Sequence, residues 1–312
     1  MRTDDQPAWA GFWRRLGAFL VDWVLVGVAG YLIGAAAFDA LATMEVGDRL
    51  VGLALAVAYF GVLGSRIGGG QTLGKRAFNL RVAALDGGGL PLPRALLRAL
   101  VLSLPFVVNG VGLRANGGLL VYVAGVLAAT ALFGLGLAQL YLVAFNRPSR
   151  RLAHDLAAGS VVLRADGAVT DVPAGTTHGR IAIGIVATSF LLAAGSTVYF
   201  SSVSPGLLTR LRPPLSAVEN LPEVMAATVA ETKTAFSATG QPWATSRALV
   251  INVRLKAWPR DPNFEAHRLA GAALAHYQPA AGQSVFVTLR YGFDLGFASN
   301  WRSYSTDIDH RP

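Results

Sequence analysis

Five long apolar stretches constrain the fold of this chain more than any other feature of its sequence. A helix of about 20 apolar residues crosses a bilayer, and each stretch reaches or approaches that length. The five stretches are Leu16–Phe38, Leu50–Ser65, Ala99–Leu113, Leu119–Phe145 and Ile181–Val203. The sequence therefore predicts an α-helical polytopic membrane protein whose first partner is the lipid bilayer.

The basic residues predict how these spans are oriented. They concentrate before the first span, between the second and third, and between the fourth and fifth. They are Arg2, Arg14, Arg15, Arg66, Lys75, Arg76, Arg81, Arg94, Arg98, Arg147, Arg150, Arg151, Arg164 and Arg180. The opposite short loops hold only Arg49 and Arg114. Because short loops rich in lysine and arginine stay in the cytoplasm, we expect a cytoplasmic N-terminus and an extracytoplasmic segment after the fifth span.

Composition argues against two other classes of protein. The 312 residues carry a formal net charge of +9, which in a soluble protein would suggest a nucleic-acid ligand. Here about half of the basic residues flank apolar spans and face anionic lipid headgroups, so we expect no nucleic-acid partner. The chain has no cysteine, so we expect an exported domain without disulfides. No small-residue cleavage site precedes the end of the first apolar stretch, which we interpret as a retained span.

The chain divides into three predicted parts. Residues 1–180 form a membrane domain with four spans, residues 181–203 form a fifth span that acts as a tether, and residues 204–312 form a small extracytoplasmic α+β domain. Pro205, Pro213 and Pro214 predict an extended linker directly after the fifth span.

The last part shows patterns typical of a small α+β domain. A capping box of Ser216 and Glu219 predicts the start of a helix, and the alternation of apolar with polar residues predicts strands. The predicted elements are a helix over Ser216–Thr239, a strand over Leu249–Trp258, a helix over Asn263–Tyr277, and strands over Ser284–Phe293 and Leu295–Tyr304. About 90 residues are enough to bury a modest core.

The membrane domain contains a weak internal repeat. The first pair of spans ends in a β-like stretch over Arg81–Gly87, and the second pair ends in a similar one over Val161–Gly167. Repeats that cross the membrane in the same sense occur in transporters. Two unrelated hairpins that obey the same topology rule explain the pattern equally well.

Asp22 is the most unusual single residue, because it lies inside the first apolar stretch. A carboxylate at that depth is costly and should face the bundle interior beside a cationic partner. Arg15, two helical turns earlier, and Arg98, on the third span, are the candidate partners. Asp22 is accordingly either an ion or proton site or half of a buried ion pair that fixes the helix register.

Asn109 is a second polar candidate, in the third span just after Pro105. The proline frees a backbone carbonyl, which suits a cavity or an ion contact. Asn109 is therefore a candidate ligand of the same site, and a hydrogen bond to Gln139 in the fourth span is the alternative.

The segment Gly69–Arg76 matches the spacing of a phosphate-binding loop but lacks its context. Arg76 stands where that motif needs Ser or Thr to hold magnesium, and an apolar span rather than a soluble strand precedes it. We therefore reject nucleotide binding. His267 and His276 lie on opposite sides of one predicted helix and cannot share a metal ion, and no familiar nucleophile–base motif is present. The sequence thus predicts a protein that is not an enzyme and uses no metal or cofactor.

Four segments, in order along the chain, resemble the RDD family of bacterial membrane proteins. They are Ala10–Asp22; Gly70–Arg76 with Leu80–Val82 and Asp86–Gly87; Arg98; and Asn146–Arg147 with Arg151–Asp155 and Gly159–Val162. The resemblance covers about residues 9–165 and leaves the fifth span and the exported domain unassigned. It implies that Arg15, Asp22 and Asp155 are the family's signature charges, and that the chain lies in a bacterial cytoplasmic (inner) membrane.

The resemblance also implies a transport-related role, since some members of the family exchange a monovalent cation for protons. Four spans line a pore poorly, so we expect a homo-oligomer in which Asp22 binds the ion or proton. The alternative is a non-catalytic anchor or scaffold that presents residues 204–312 to an envelope protein partner. The extra C-terminal half supports this alternative, because a minimal carrier would not need it.

Overall fold

The structure joins a helical N-terminal part to a C-terminal β-sheet domain. The computed structural model describes residues 9–110, 118–147, 149–167, 176–203, 205–236 and 244–308. The helical part consists of α1 Phe12–Ala36, α2 Phe38–Ala42, α3 Gly47–Gly64, α4 Leu73–Ala77, β1 Leu80–Ala84, α5 Leu92–Val108, α6 Gly118–Ala129, a π-helical turn Thr130–Gly134, α7 Leu135–Phe145, α8 Ala153–Ala158, β2 Ser160–Arg164 and α9 Thr176–Val203. The sheet domain consists of α10 Pro205–Glu219, β3 Val224–Phe236, β4 Ala244–Leu255, α11 Pro262–Leu274, β5 Ser284–Asp294 and β6 Ser299–Ile308.

Four of the described helices are long and apolar enough to cross a membrane. They cover Phe12–Ala36, Gly47–Gly64, Leu119–Phe145 and Thr177–Ser196. The third predicted span, Ala99–Leu113, falls on α5, which has 17 residues. Residues 111–113 of that predicted span lie outside the described part of the chain.

Helix α1 separates its residues into a buried stripe and an apolar outer face. Its buried residues are Ala18, Asp22, Val26, Gly30 and Gly34, each four positions after the previous one. Residues four apart lie on one face of a helix, so this stripe packs against the rest of the bundle. Large apolar side chains on the other face are exposed, as expected for a helix in contact with lipid.

The two predicted β-like stretches pair with each other. Strands β1 and β2 form an antiparallel two-stranded sheet in which Val82 lies opposite Val162. Helix α4 precedes β1 and helix α8 precedes β2. These four elements lie together at one end of the helical part, which carries most of its lysine and arginine and which we call the basic end.

The sheet domain has the strand order β3-β4-β5-β6. Strands β3 and β4 form an antiparallel hairpin, β4 and β5 are parallel and joined through α11, and β5 and β6 form a second hairpin. Helices α10 and α11 contribute Val218, Ala266 and Leu269 to a core shared with one face of the sheet. The predicted strands at β4 and β5 and the predicted helix at α11 are confirmed.

Two predictions for this domain were wrong. The extended linker at Pro205, Pro213 and Pro214 is helix α10, which forms because Leu211, Leu215 and Val218 pack on the domain core. The helix predicted over Ser216–Thr239 is mostly strand β3, and its residues 237–239 lie outside the described chain. The capping box of Ser216 and Glu219 suggested a helix there. Pairing with β4 and the β-branched residues of this segment favour the strand instead.

The turn between β5 and β6, residues 295–298, is inserted between α1, α3 and α5. Phe297 packs with Val26, Phe60 and Ala99, and its ring centroid lies 6.0 Å from that of Trp23. The sheet domain therefore reaches the interior of the helical bundle, next to Trp23, the residue that follows Asp22.

Glycines in the helices make room for this turn. A Cβ atom at Gly30 would lie 2.4 Å from the Phe297 ring, and one at Gly34 would lie 2.2 Å from the Phe293 ring. Around the turn, Arg254 pairs with Asp48 at 2.9 Å. A helix bearing larger residues at these positions could not accept the turn.

We expect Gly34→Ala to loosen the sheet domain from the helices. The added methyl group overpacks the contact with Phe293, which should lower the free energy of unfolding by about 1–3 kcal/mol. Thermal unfolding in detergent measures the effect. Gly184→Ala on α9 is the matched control, because nothing lies within 4 Å of the added Cβ there. A Gly34→Ala protein that melts with the control would contradict the packing.

Candidate functional site

Asp22 lies at the centre of a hydrogen-bonded cluster between α1, α3 and α4. Its carboxylate is fully buried. The Tyr59 hydroxyl donates to Oδ1 at 2.7 Å, the Gly74 N–H donates to Oδ1 at 2.7 Å, and the Thr72 hydroxyl donates to Oδ2 at 2.5 Å. Lys75 Nζ lies 3.8 Å from Oδ2. The carboxylate therefore has both hydrogen-bond donors and a cationic partner.

The glycine-rich loop before α4 is shaped to reach Asp22. Thr72 caps α4, and its hydroxyl accepts from the Lys75 N–H at 3.4 Å. A Cβ at Gly74 would lie 2.1 Å from the Ala18 carbonyl oxygen, so only glycine lets the loop approach α1 this closely. The segment that resembles a phosphate-binding loop thus holds a carboxylate of its own chain.

Lys75 is the cationic partner of Asp22, and the positive charge of its ammonium group is only weakly stabilised. Nζ also donates to the Thr72 hydroxyl at 3.1 Å and lies 5.9 Å from the centre of the Phe60 ring. Burial, together with the nearby Arg98, lowers the pKa of Lys75 to about 8, although the carboxylate of Asp22 opposes the shift. This ammonium group can therefore release its proton close to neutral pH.

Asp155 on α8 is the centre of a second buried cluster. Arg98 donates through Nε at 2.9 Å and pairs through a terminal nitrogen at 2.8 Å. The Leu152 N–H and the Ser160 hydroxyl each donate at 3.2 Å. Burial alone would raise the pKa of Asp155, but the Arg98 guanidinium and its other neighbours hold it well below its usual range. Asp155 is therefore a permanent anion.

Arg15 belongs to the second cluster, so the pairing predicted between Arg15 and Asp22 was wrong. Its guanidinium donates to the carbonyl oxygens of Arg150 at 2.5 Å and Val162 at 3.0 Å, and lies 3.9 Å from Asp155. Side chains on a helix point toward its N-terminus, which directs Arg15 away from Asp22. Arg98, the other predicted partner, pairs with Asp155.

Two of the other polar residues of the predicted spans lie apart from Asp22. Asn109 follows α5 at the end of the bundle opposite the basic end. There its carbonyl oxygen accepts a hydrogen bond from Arg49. Gln139 does not pair with Asn109. Its amide nitrogen lies 3.0 Å from His154 Nδ1. Burial lowers the pKa of His154 to about 3, so its ring is neutral at neutral pH.

A cavity of about 290 Å³ connects the two clusters. Asp22 and Lys75 line it on one side, and Arg15, Arg98 and Asp155 line it on the other. Lys75 and Asp155 occupy matching positions in the two halves of the predicted repeat, because each lies five residues before the strand that follows. In the first half, Lys75 pairs with Asp22 on α1. In the second half, Asp155 pairs with Arg98 on α5, so the cation and the anion have exchanged places.

Sequence reasoning missed Tyr59, Thr72 and Lys75 as partners of Asp22. Lys75 could have been found from its place in the glycine-rich loop, which the resemblance already singled out. Tyr59 gave no signal, because one tyrosine in an apolar span is common at a membrane boundary.

Comparisons with known proteins place the site in context. The model of the RDD family matches residues 9–159. The uncharacterized protein YckC of Bacillus subtilis (strain 168) is 31% identical over 157 residues, which are 50% of this chain and 85% of that protein. No solved structure gives a significant match. The family match takes in Asp22, Lys75, Arg98 and Asp155, and it ends before α9 and the sheet domain.

Proposed function

The chain belongs to the RDD family of membrane proteins, and on this basis we propose that it exchanges protons for a monovalent cation at the Asp22–Lys75 pair. One observation carries the proposal. The counter-ion of a fully buried carboxylate is a lysine that lines a cavity, and a buried lysine, unlike an arginine, readily gives up its proton.

The proposal includes an orientation in a bacterial cytoplasmic membrane. The basic end would face the cytoplasm, as expected for lysine- and arginine-rich loops, and the sheet domain would lie outside. Helix α5 would act as a further span, giving five. This assignment is supported by its contacts, since Arg94 near its start donates to the Ala158 carbonyl at the basic end, and Val107 near its other end accepts from Arg49.

The oxygen atoms around Lys75 suit a monovalent cation. The ammonium group contacts the Thr72 hydroxyl at 3.1 Å and faces the Asp22 carboxylate at 3.8 Å. The Tyr59 hydroxyl donates to the other oxygen of the same carboxylate, and in this proposal it is a further oxygen ligand. Hard cations prefer carboxylate, hydroxyl and water oxygens, so the lysine ammonium occupies the position that a metal cation would take.

Protons exchange for monovalent cations because the Lys75 ammonium group and the cation compete for the Asp22 carboxylate. When Lys75 is protonated, its charge neutralises Asp22 and a second cation is repelled. When Lys75 loses its proton, Asp22 is left without a counter-ion in a buried place, which is unfavourable. A monovalent cation then restores neutrality. One proton leaves for each cation that binds, so the exchange is electroneutral.

Lys75→Arg tests the proposal. The guanidinium keeps a positive charge beside Asp22 but does not deprotonate, so we expect no exchange. In the unmodified protein, the competent form is the deprotonated one, so the apparent cation affinity should weaken about tenfold for each pH unit below about 8. Vesicles that contain the purified protein and a pH-sensitive dye measure proton movement after a pulse of sodium or potassium.

Lys233→Arg is the matched control, because Lys233 is exposed on β3. It should exchange cations at the unmodified rate. If Lys75→Arg also exchanges at that rate, deprotonation of Lys75 is not part of the function and the proposal fails.

A further inference from the structure

The cavity between the two buried clusters carries more positive than negative charge. Among the described residues that line it, the cations are Arg15, Lys75, Arg98 and Arg150, and the acids are Asp22 and Asp155. His154 also lines the cavity, and burial keeps its ring neutral. Arg15 and Arg150 are only partly buried, so the two extra positive charges are incompletely solvated and favour a bound anion.

The excess lies at the mouth formed by Arg15 and Arg150. Arg15 Nε is buried and has no hydrogen-bond partner among the described residues. Arg150 lies over the Phe12 ring, with its guanidinium carbon 5.8 Å from the ring centre, and pairs with no described carboxylate. Arg15 lies in the first turn of α1, at the level where lipid phosphates are found if α1 spans the bilayer.

Most of the wall of the cavity between the two clusters is apolar. Its wall between α1, α5 and α7 is made by Leu16, Phe19, Leu102, Phe106 and Val143. Its volume of about 290 Å³ compares with about 150 Å³ for an apolar cavity that holds a benzene molecule. A cationic mouth that leads into an apolar interior matches a ligand with one anionic end and one hydrocarbon chain.

We propose that this cavity binds an anionic phospholipid, with the phosphate on Arg15 and Arg150 and one acyl chain along Leu16, Phe19 and Phe106. Arginine binds phosphate oxygens through two parallel hydrogen bonds, and the free Arg15 Nε supplies one donor. A zwitterionic lipid brings no net charge and would leave the excess uncompensated. The proposal rests on the cavity alone and stands whether or not the chain exchanges cations.

Two variants separate the headgroup from the chain. Arg150→Gln removes one of the two extra positive charges at the mouth and should weaken the preference for anionic lipid. Gly136→Leu fills the apolar part, because Gly136 lines the cavity and nothing lies within 4 Å of a Cβ added there. This variant should lose lipid binding while the mouth stays intact. Arg164→Gln is the control, since Arg164 is exposed and pairs with Asp166 at the same end.

The measurement is native mass spectrometry of the delipidated full-length protein with added phosphatidylglycerol, phosphatidylcholine or inorganic phosphate. We expect phosphatidylglycerol to bind about tenfold more tightly than phosphatidylcholine, and this ratio to fall to about twofold in Arg150→Gln, because one extra positive charge remains. The control should keep the full preference.

Three results would overturn the proposal. Equal binding of the two lipids to the unmodified protein would remove the role of charge. Binding of inorganic phosphate as tight as that of phosphatidylglycerol would assign the mouth to a free anion. Unchanged lipid binding in both Arg150→Gln and Gly136→Leu would place the lipid elsewhere. None of these measurements needs a cation gradient, so failure here is distinct from failure of exchange.

Discussion

Replacing Asp155 by asparagine should destabilise the protein more than any other single change in the two buried clusters. Arg98 and Arg15 would both lose the negative charge that lies beside them. Removing one partner of a buried ion pair costs about 3–5 kcal/mol, which is a large part of the total stability of a typical domain at about 5–15 kcal/mol. Unfolding in detergent, followed by circular dichroism and by the monodisperse fraction in size exclusion, measures the loss.

Asp166→Asn is the control for this experiment. Asp166 pairs with Arg164 at 3.1 Å, but both side chains are at least half exposed, and exposed pairs contribute little. We expect no measurable change. If Asp155→Asn melts at the unmodified temperature as well, Asp155 does not hold Arg98 and Arg15 in the folded protein.

The pair of Asp155 and Arg98 also predicts how the stability of the protein depends on pH. The folded pKa of Asp155 lies below its ordinary value of 3.8. Its contribution is therefore fully present above that value and is lost as the pH falls toward the folded pKa. The unmodified protein should lose stability steeply below about pH 4, and the Asp155→Asn protein should lack that part of the acid transition.

Replacing Asp22 by asparagine should abolish exchange while leaving a folded protein. The amide oxygen can still accept from Tyr59 and Gly74, and the Thr72 hydroxyl can turn to accept from the amide nitrogen. Only the negative charge is lost, so Lys75 can deprotonate but no cation is held. We expect a loss of at least about tenfold, since one such charge interaction exceeds about 1.4 kcal/mol. Proton movement in dye-loaded vesicles measures it.

Tyr59→Phe is a graded companion to Asp22→Asn. It removes one oxygen ligand and one hydrogen bond to the carboxylate, so exchange should be weakened without disappearing. Folded Asp22→Asn protein that exchanges cations at the unmodified rate would leave Asp22 as a purely structural residue, the second interpretation that the sequence allowed.

The burial of Asp22 could be read from the sequence, but its partner could not. One acid among apolar residues has to face the bundle interior, and this follows from local sequence alone. Lys75 meets Asp22 only because the glycine-rich loop folds back against α1, which depends on the close approach at Gly74. The two-turn spacing of Arg15 and Asp22 suggested a pair, and the direction of helical side chains prevents it.

In the sheets, too, features that depend on neighbouring residues were predictable, and pairings between distant segments were not. Strand β4 was predictable because its own alternation is clear. Strand β3 was not, because the capping box of Ser216 and Glu219 indicated a helix, whereas the strand is stabilised by its pairing with β4. For β1 and β2, the sequence showed two similar stretches but not that they pair with each other.

The insertion of residues 295–298 into the bundle bears on how the protein is made. The helices that receive this turn are synthesised well before the turn itself. Until Phe297 arrives, the gap beside Gly30 and Gly34 is open to whatever surrounds it. In the proposed orientation, the membrane-embedded part would then be completed only after translocation of the sheet domain, and a ribosome that stopped after α9 would release a bundle with an unfilled seam.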